Sequence, residues 1–432
     1  MFGKPIINEL ANGIRFFWLP TDKFKTVTMK MYIHQELRKE LATGTALLPS
    51  VLKRGTQRYP ETICLQRELE NLYGAELSTS VGKKGERQLV EISLDMVHPG
   101  YLEEDNYLRR GLDVLRSILS EPLVEGGGFR AAYVEQEKIQ LEREIKSLIN
   151  NKTAYALERC IREMCSHERF GIYKLGHVGG LTSIDPRGLY RYSRELLVEN
   201  PIDLYIVGLR DREKIEKTVA DTFSFTREAL PRELPPTEVS GNGREVVIRE
   251  ESMPVNQAQL VLGYRTNITF NHELYYPLAF YNGILGVFPH SKLFQNVREK
   301  ASLAYFVFSR LEKHKGIMII AAGIDPAHYC KSLEIIQAQT EAIADGEITR
   351  DEMENTRIGF INQLRSQTDH PGNIINFHLD ADIGGRHQSL DEVIEKIERV
   401  TMEEVVAAAR KVKLDTVYFL HGDGREGEDH DS

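Results

Sequence analysis

Apolar residues recur along this chain at two spacings, one typical of helices and one typical of strands. Between residues 41 and 54 the apolar side chains lie at helical spacing, and Gly55 is expected to end this helix. The segment 131–164 keeps a helical period through a strongly charged sequence and predicts one long helix. In the first hundred residues, alternation and turn residues predict strands at 13–19, 26–33, 76–81 and 88–96 and a second helix at 62–72.

A stretch rich in proline and glycine, residues 229–243, divides this pattern into two similar halves and predicts a linker. After it, strands and helices are predicted in nearly the same order as before. We interpret this as a duplicated α+β unit rather than a solenoid, whose repeats span only about 20–50 residues. The predicted domains are an N-terminal half at 1–228, the linker, a C-terminal half at 244–424 and an acidic tail at 425–432.

The composition indicates a globular protein with a substantial core. Of the 432 residues, 41% are hydrophobic and 28% are charged, and the net charge of -9 offers no basic excess for nucleic acid. No apolar run approaches the roughly 18 residues that span a membrane. The four cysteines are too few for a disulfide framework, and the first residues lack the pattern of a secretory signal. We therefore expect a cytoplasmic protein that binds neither nucleic acid nor membrane.

The helix that ends at Arg54, Gly55 and Thr56 resembles one in the pitrilysin/insulinase family of zinc peptidases. In active members this helix contains the motif H-x-x-E-H, two zinc-binding histidines with a catalytic glutamate. Aligned on its Gly55-Thr56 end, this chain has Ala46, Pro49 and Ser50 at the three positions. The resemblance therefore implies a peptidase-like protein that has lost its zinc ligands and its catalytic base, and we predict no catalytic residue, metal or cofactor.

The same family supplies a third zinc ligand from a glutamate in a later helix. The segment from Glu137 to Glu144 matches that pattern, with Glu144 at the ligand position and Glu137 at a nearby supporting carboxylate. Two turns of helix separate these residues, so both lie on one face. Glu144 alone cannot hold a catalytic zinc ion, which needs about three protein ligands. Both glutamates are interpreted as remnants.

A second matching segment, residues 290–305, resembles the family pattern S-x-L-F-x-x-x-R-E-x-x-x-L-x-Y. In active members its arginine and tyrosine contact the substrate backbone, and Arg298 and Tyr305 have that spacing. The structural alternative is that Arg298 forms an ion pair and Tyr305 packs at the start of a strand. The resemblance covers nearly the whole chain. It implies two homologous α+β halves, with mainly antiparallel sheets flanked by helices, that face each other around a peptide-binding chamber.

Pro49 conflicts with an uninterrupted first helix, because an interior proline costs roughly 3 kcal/mol. We therefore expect the helix to restart at Pro49, with Leu48 extended. Such a break would misdirect any ligands, so restoring His, Glu and His should not restore activity. Two weaker metal sites are conceivable. One is His34 with Glu36 on a strand, and the other is the cluster Cys160, Cys165 and His167, for which buried helical cysteines are the alternative.

Three functions remain open from the sequence. The first is a non-catalytic subunit that forms a heterodimer with an active zinc peptidase paralogue and contacts extended peptide through Arg298 and Tyr305. The second is a divergent metallopeptidase with an unrecognised site. The third is a homodimeric peptide-binding scaffold. No phosphate-binding loop or serine-hydrolase motif supports another class of enzyme.

Overall fold

A computed structural model describes residues 3–227, 231–239 and 245–422. The predicted acidic tail and part of the predicted linker lie outside these residues. No helix within the described ranges is long and apolar enough to cross a membrane. The strands are β1 (Ile6–Glu9), β2 (Ile14–Leu19), β3 (Thr26–Glu36), β4 (Glu76–Lys84), β5 (Arg87–Val97), β6 (Val124–Glu125), β7 (Gly128–Phe129), β8 (Ile202–Val207), β9 (Val247–Ser252), β10 (Ala258–Arg265), β11 (Ala304–Glu312), β12 (Ile317–Ile324) and β13 (Lys413–His421).

Helices cover most of the remaining described chain. Two stretches, Gly283–Val287 and Phe294–Lys300, are π-helical. The α-helices are α1 (Lys39–Arg54), α2 (Thr62–Asn71), α3 (Tyr107–Ser120), α4 (Ala131–Ser147), α5 (Lys152–Met164), α6 (Val178–Leu181), α7 (Pro186–Glu199), α8 (Arg212–Thr222), α9 (Tyr275–Asn282), α10 (Tyr329–Ala344), α11 (Arg350–Gln367), α12 (Pro371–Ile383), α13 (Leu390–Arg399) and α14 (Met402–Ala409).

The chain forms two compact units, each assembled from three segments. Unit 1 contains residues 1–146, 172–236 and 367–383, and unit 2 contains residues 147–171, 237–366 and 384–432. Most of each unit comes from one half of the chain. However, unit 2 receives α5 from the N-terminal half, and unit 1 receives α12 from the C-terminal half.

Unit 1 is built on a six-stranded sheet in the order β1-β2-β8-β3-β5-β4. All neighbours are antiparallel except β2 and β8. One face supports the main core, which includes Leu47 of α1, Leu112 of α3 and Leu196 of α7. The other face packs aromatic side chains such as Tyr205 against Ile375 of α12.

Unit 2 is built on a five-stranded sheet in the order β11-β12-β10-β13-β9, with β13 and β9 parallel and the other pairs antiparallel. Its core includes Cys160 and Met164 of α5, packed with Val261, Ile319 and other strand residues. Mixed helices and mainly antiparallel sheets confirm the predicted fold class.

The single long helix predicted for residues 131–164 is wrong. The chain forms α4, a 3₁₀ turn at Leu148–Asn150 and then α5. Asn151 begins α5 as its N-cap, with its side chain accepting a hydrogen bond from the N–H of Ala154 at 3.0 Å. This interruption is where the chain leaves unit 1 and enters unit 2, so the two helices bury their apolar faces in different cores.

Candidate functional site

Helix α1, which contains the three positions aligned with the H-x-x-E-H motif, is continuous from Lys39 to Arg54 and contains Pro49 in its interior. The expected restart at Pro49 is therefore wrong. Ala46 and Pro49 are buried, and Ser50 is half-buried. The motif positions thus keep a helical arrangement, although the side chains that bind zinc in related enzymes are absent from them.

Packing explains why α1 tolerates the proline. Leu47, Leu48, Val51 and Leu52 each have at most 2% exposure and lie in the main core of unit 1. Fully burying one such side chain contributes about 1.5–3 kcal/mol, so four of them outweigh the roughly 3 kcal/mol cost of an interior proline. Tertiary burial therefore overrides the local preference of Pro49.

Glu137, for which the resemblance implied a supporting role at a metal site, is paired with an arginine. Glu137 of α4 is buried, and the Nε–H of Arg54 donates a hydrogen bond to its carboxylate. Ala46, Ser50 and Arg54 follow one another at intervals of four residues, so all three lie on one face of α1. Glu144, at the ligand position, is exposed. The residue pattern predicts Arg54 only as part of the helix end, and its pairing with Glu137 has no signal in the sequence.

These residues do not fit a catalytic zinc ion. A methyl group, a pyrrolidine ring and a hydroxymethyl group replace the imidazoles and the carboxylate of the motif. Glu137 is engaged by a guanidinium, whose positive charge opposes a nearby cation. Across residues 3–227, 231–239 and 245–422, no group of three His, Cys, Asp or Glu side chains has a metal-binding arrangement.

His34, the first alternative ligand, is fully buried and lies beside a buried carboxylate. Its Nε2 lies 2.8 Å from the carboxylate of Asp203, which also accepts two hydrogen bonds from Arg15 at 2.7 and 2.6 Å. Burial alone would raise the pKa of Asp203, but His34 and Arg15 outweigh it and hold that pKa below its usual value. His34 therefore holds β3 to β8 through Asp203.

The three residues of the second alternative site do not lie together, because two are in the core and one is on the surface. Cys160 and Cys165 are buried in the core of unit 2, whereas His167 is exposed. Burial raises the pKa of the Cys160 thiol well above its usual value, so it stays protonated and packs as an apolar group. The predicted burial of both cysteines is confirmed, with Cys160 inside α5 and Cys165 at its C-cap.

Glu168, which follows this cluster, was not singled out from the sequence. Its carboxylate accepts a hydrogen bond from Arg265 at 2.5 Å and lies 2.7 Å from the ammonium of Lys315. Arg265 also pairs with Asp415 at 3.0 Å. The side chains of the four residues are at most 10% exposed. Two cations and two anions are therefore balanced inside unit 2.

Arg298 and Tyr305 lie on surface elements with irregular backbone geometry. Arg298 belongs to the second π-helical stretch, with its guanidinium 4.8 Å from the centre of the Phe294 ring and 3.8 Å from the carboxylate of Glu299. Tyr305 occupies an irregularity in the pairing of β11 with β12, between Ala304 and Phe306, and is 69% exposed. Bulges and π-helical turns often occur at functional sites, where they redirect a side chain.

Restoring the zinc motif alone is not expected to restore peptidase activity. The helix break that first motivated this expectation does not exist, but a second reason remains. In the triple variant Ala46→His, Pro49→Glu, Ser50→His, new side chains must enter buried positions, and Arg54 still engages Glu137. We expect no stoichiometric zinc by atomic absorption after dialysis and no zinc-dependent cleavage of casein.

The added change Arg54→Gln provides the internal comparison for that experiment. It releases Glu137 and removes a positive charge from the same helix face, so the quadruple variant should bind zinc more tightly than the triple variant. Zinc-dependent cleavage by the triple variant would show that the motif positions alone decide activity.

Comparison with known proteins places this architecture in a family. A family model described as "Peptidase M16 inactive domain" matches residues 183–360. The Bacillus subtilis protein YmfF, named a probable inactive metalloprotease, is 32% identical over 421 residues, which cover 96% of this chain and 98% of that protein. A second Bacillus subtilis protein, the uncharacterized zinc protease YmxG, is 30% identical over 159 residues, or 36% of this chain and 39% of that one.

A solved structure agrees over nearly the full length. The crystal structure of a conserved protein from Enterococcus faecalis V583 superposes with a TM-score of 0.90 at 28% identity, covering 97% of this chain and 99% of that one. The match to YmfF over nearly the full length of both chains shows the family. The chain therefore belongs to the peptidase M16 family, as an inactive, peptidase-like member.

Proposed function

We propose that this chain is a catalytically silent subunit that pairs with an active zinc peptidase paralogue and helps to bind its peptide substrate. Loss of the ligands at Ala46, Pro49 and Ser50 removes the catalysis, whereas a peptide-contacting pair has the family spacing at Arg298 and Tyr305. The strongest support is Tyr305, a large aromatic side chain that is 69% exposed at a bulged strand start. A residue kept only for packing would be expected to be buried.

The chemistry of the pair suits the backbone of a peptide. Arg298 offers a planar set of donors for carbonyl oxygens, and the Tyr305 hydroxyl can donate to one. The Arg298 side chain is 44% exposed, so its weak contact with Glu299 at 3.8 Å leaves room for a ligand. In this proposal the chain would supply one of two surfaces that together enclose an extended peptide.

The occurrence of two relatives in one species supports the paired arrangement. Bacillus subtilis has both YmfF, a probable inactive metalloprotease, and YmxG, an uncharacterized zinc protease. A probable inactive metalloprotease together with a zinc protease in one species is the combination that the proposal requires. In this proposal the two chains would pair in the cytoplasm. The bound peptide would be extended.

Reconstitution with the zinc peptidase paralogue from the same genome tests the proposal. We expect the two purified chains to co-elute in size-exclusion chromatography and the mixture to cleave peptide faster than the paralogue alone. The double variant Arg298→Ala, Tyr305→Ala should still co-elute but should raise KM about tenfold with kcat unchanged, as expected for lost substrate binding.

Tyr101→Ala is the matched control, because Tyr101 is also an exposed tyrosine, at 64%, but lies in unit 1 outside the matched segment. It should leave KM unchanged. Failure to co-elute at micromolar concentration would contradict the heterodimer. A stable dimer of this chain alone that binds peptide would favour the homodimeric scaffold, and stoichiometric zinc with intrinsic cleavage would favour a divergent metallopeptidase.

A further inference from the structure

A cavity of about 350 Å³ opens on the surface of unit 2, where it is lined by α10 and by the segment 409–414. We call it the α10 cavity. Its inner end contains Tyr264 of β10 and Tyr281 of α9, both of which are buried. Cavities that bind small molecules usually have volumes of about 300–1,000 Å³. The α10 cavity therefore suits a compound of metabolite size rather than a long peptide.

The hydroxyl groups of these two tyrosines have no hydrogen-bond partner within the described ranges. Tyr281 has no measurable exposure, and Tyr264 is 3% exposed. The side chain of Thr340 also lines the cavity, but its hydroxyl donates to the carbonyl of Gln337 at 2.7 Å. A buried hydroxyl without a partner destabilises a protein, and most buried hydroxyls are paired. Two such groups at the inner end of one cavity indicate that a ligand supplies the missing acceptor.

The inner end of the α10 cavity favours an uncharged acceptor. Burial raises the pKa of both phenols above the usual tyrosine value, so both stay protonated and can donate. At Tyr264, Thr340 lowers this pKa whereas the carboxylate of Glu341 raises it, which places a negative charge near the inner end. That charge repels a ligand carboxylate at the same position. The oxygen of a carboxamide is an acceptor that meets both conditions.

The mouth of the α10 cavity has charges of opposite sign on two different walls. Glu341 and Asp345, four residues apart at the end of α10, form the acidic wall. Arg410 and Lys413 form the basic wall. All four residues are exposed, and none of them forms an ion pair within the part of the chain that the structure describes. The Nε–H of Arg410 donates to the carbonyl of Ala344 at 3.2 Å, which holds the two walls together.

We propose that the α10 cavity binds a free α-amino acid with a carboxamide side chain, such as L-glutamine. The ammonium group of the ligand pairs with the acidic wall, and its carboxylate pairs with the basic wall. The side-chain oxygen accepts a hydrogen bond from Tyr281 at the inner end. A ligand with both charges and no net charge matches a mouth with two charges of each sign. The inference does not depend on the proposed function, because no residue of the segment 290–305 lines the cavity.

Isothermal titration calorimetry of the whole chain with L-glutamine tests the proposal, and saturable one-to-one binding is expected. L-Glutamate and L-norleucine place a charge or a methyl group at the inner end, so each should bind at least about tenfold more weakly. N-Acetyl-L-glutamine and L-glutaminamide each lack one of the two backbone charges and should be weakened to a similar extent. Absence of saturable L-glutamine binding would overturn the proposal, as would equal affinity for L-norleucine.

Removal of one hydroxyl group gives the protein-side comparison. Tyr281→Phe should weaken L-glutamine binding at least about tenfold and leave L-norleucine binding unchanged. Because this hydroxyl has no partner in the structure, the variant should unfold at a temperature no lower than that of the unchanged protein. Tyr205→Phe is the matched control, since Tyr205 is also fully buried with an unpartnered hydroxyl but lies in unit 1. It should leave L-glutamine affinity unchanged.

Two charge-removing substitutions test the walls at exposed positions, where little effect on the fold is expected. Asp345→Asn and Lys413→Gln should each weaken L-glutamine binding at least about threefold. Glu347→Gln and Lys411→Gln are the matched controls, because these exposed residues are close in sequence but do not line the cavity. Both controls should bind L-glutamine like the unchanged protein. Equal affinity in all four variants would overturn the proposed contacts with the two walls.

Discussion

Neither half of the chain is expected to fold when residues 1–228 and 244–432 are expressed separately. Each unit takes one helix from the other half, so each fragment lacks a helix that its sheet requires. The C-terminal fragment lacks α5, whose residues Ala156, Cys160 and Met164 have no measurable exposure. The N-terminal fragment lacks α12, with Ile375 and Leu379 equally buried.

The loss should exceed what either unit can tolerate. At about 1.5–3 kcal/mol for each fully buried large side chain, removal of one helix forfeits about 5–10 kcal/mol, which is comparable with the whole stability of a typical domain. The N-terminal fragment also loses Asp382, which accepts two hydrogen bonds from Arg15 at 3.1 and 2.6 Å. Circular dichroism and thermal melts should show no cooperative transition for either fragment.

Co-expression of the two fragments is the control. Together they contain every described element, so they should assemble and unfold cooperatively. Fragments 1–171 and 172–432 should also fail to fold when each is expressed alone. The first contains α5 and the second contains the strands that α5 packs against, so the core of unit 2 is complete only when both are present. A cooperative transition in residues 1–228 alone would show that α12 is dispensable for unit 1.

Replacing Glu168 by alanine is expected to lower the free energy of unfolding by about 3–5 kcal/mol. The substitution removes the carboxylate 2.7 Å from the Lys315 ammonium and leaves Arg265 with Asp415 and the Met164 carbonyl as partners. Lys315 is 1% exposed, so water cannot replace the lost partner without a local rearrangement. Urea unfolding at neutral pH measures the change.

Glu163→Ala is the matched control on the same segment. Glu163 forms ion pairs with Arg159 and Arg249 at 3.6 and 3.2 Å, but its side chain is 25% exposed and its partners more so. Exposed pairs contribute at most about 1 kcal/mol, so this variant should stay close to the unchanged protein. A similar decrease in the free energy of unfolding for both variants would show that the buried ion pairs of Glu168 contribute no more than the exposed pairs of Glu163.

The Glu168 carboxylate should also make the stability of the protein sensitive to acid. Burial alone would raise the pKa of Glu168, but hydrogen bonds from Arg265 and Lys315 outweigh it and hold that pKa below its ordinary value. A depressed pKa stabilises the fold above the ordinary glutamate value of about 4.3, and this contribution disappears as pH falls through the folded-state pKa. Stability measured between pH 7 and 3 should therefore fall less steeply for Glu168→Ala.

The spacing of apolar residues predicted most helices and strands, because an element that is buried on one face has apolar residues at the period of that element. The strand pair at 76–81 and 88–96 corresponds to β4 and β5 with extended ends. Periodicity does not show which sheet a helix packs against, so the exchange of α5 and α12 could not be predicted. The break before α5 did have a local signal in the cap residue Asn151.

The predictions for the site rest on residue type, whereas the contacts around it depend on packing that residue type does not reveal. Ala46 and Pro49 have no metal-binding side-chain atom and Ser50 has only a hydroxyl, so residue type alone supports the prediction that the zinc ligands are lost. The continuity of α1 through Pro49 depends on the surrounding core, and the pairing of Arg54 with Glu137 depends on where α4 lies. The exposure of Tyr305 likewise follows from a pairing irregularity that residue patterns do not encode.

The exchanged helices also set an order of events during synthesis on the ribosome. Unit 1 lacks α12 until residue 383 has emerged, roughly 150 residues after its other segments are made. At about 5–20 residues per second, one apolar face of its sheet stays uncovered for about 8–30 s. The nascent N-terminal half is therefore expected to depend on chaperones in the cell, and mutations that slow translation between the two halves should lengthen that dependence.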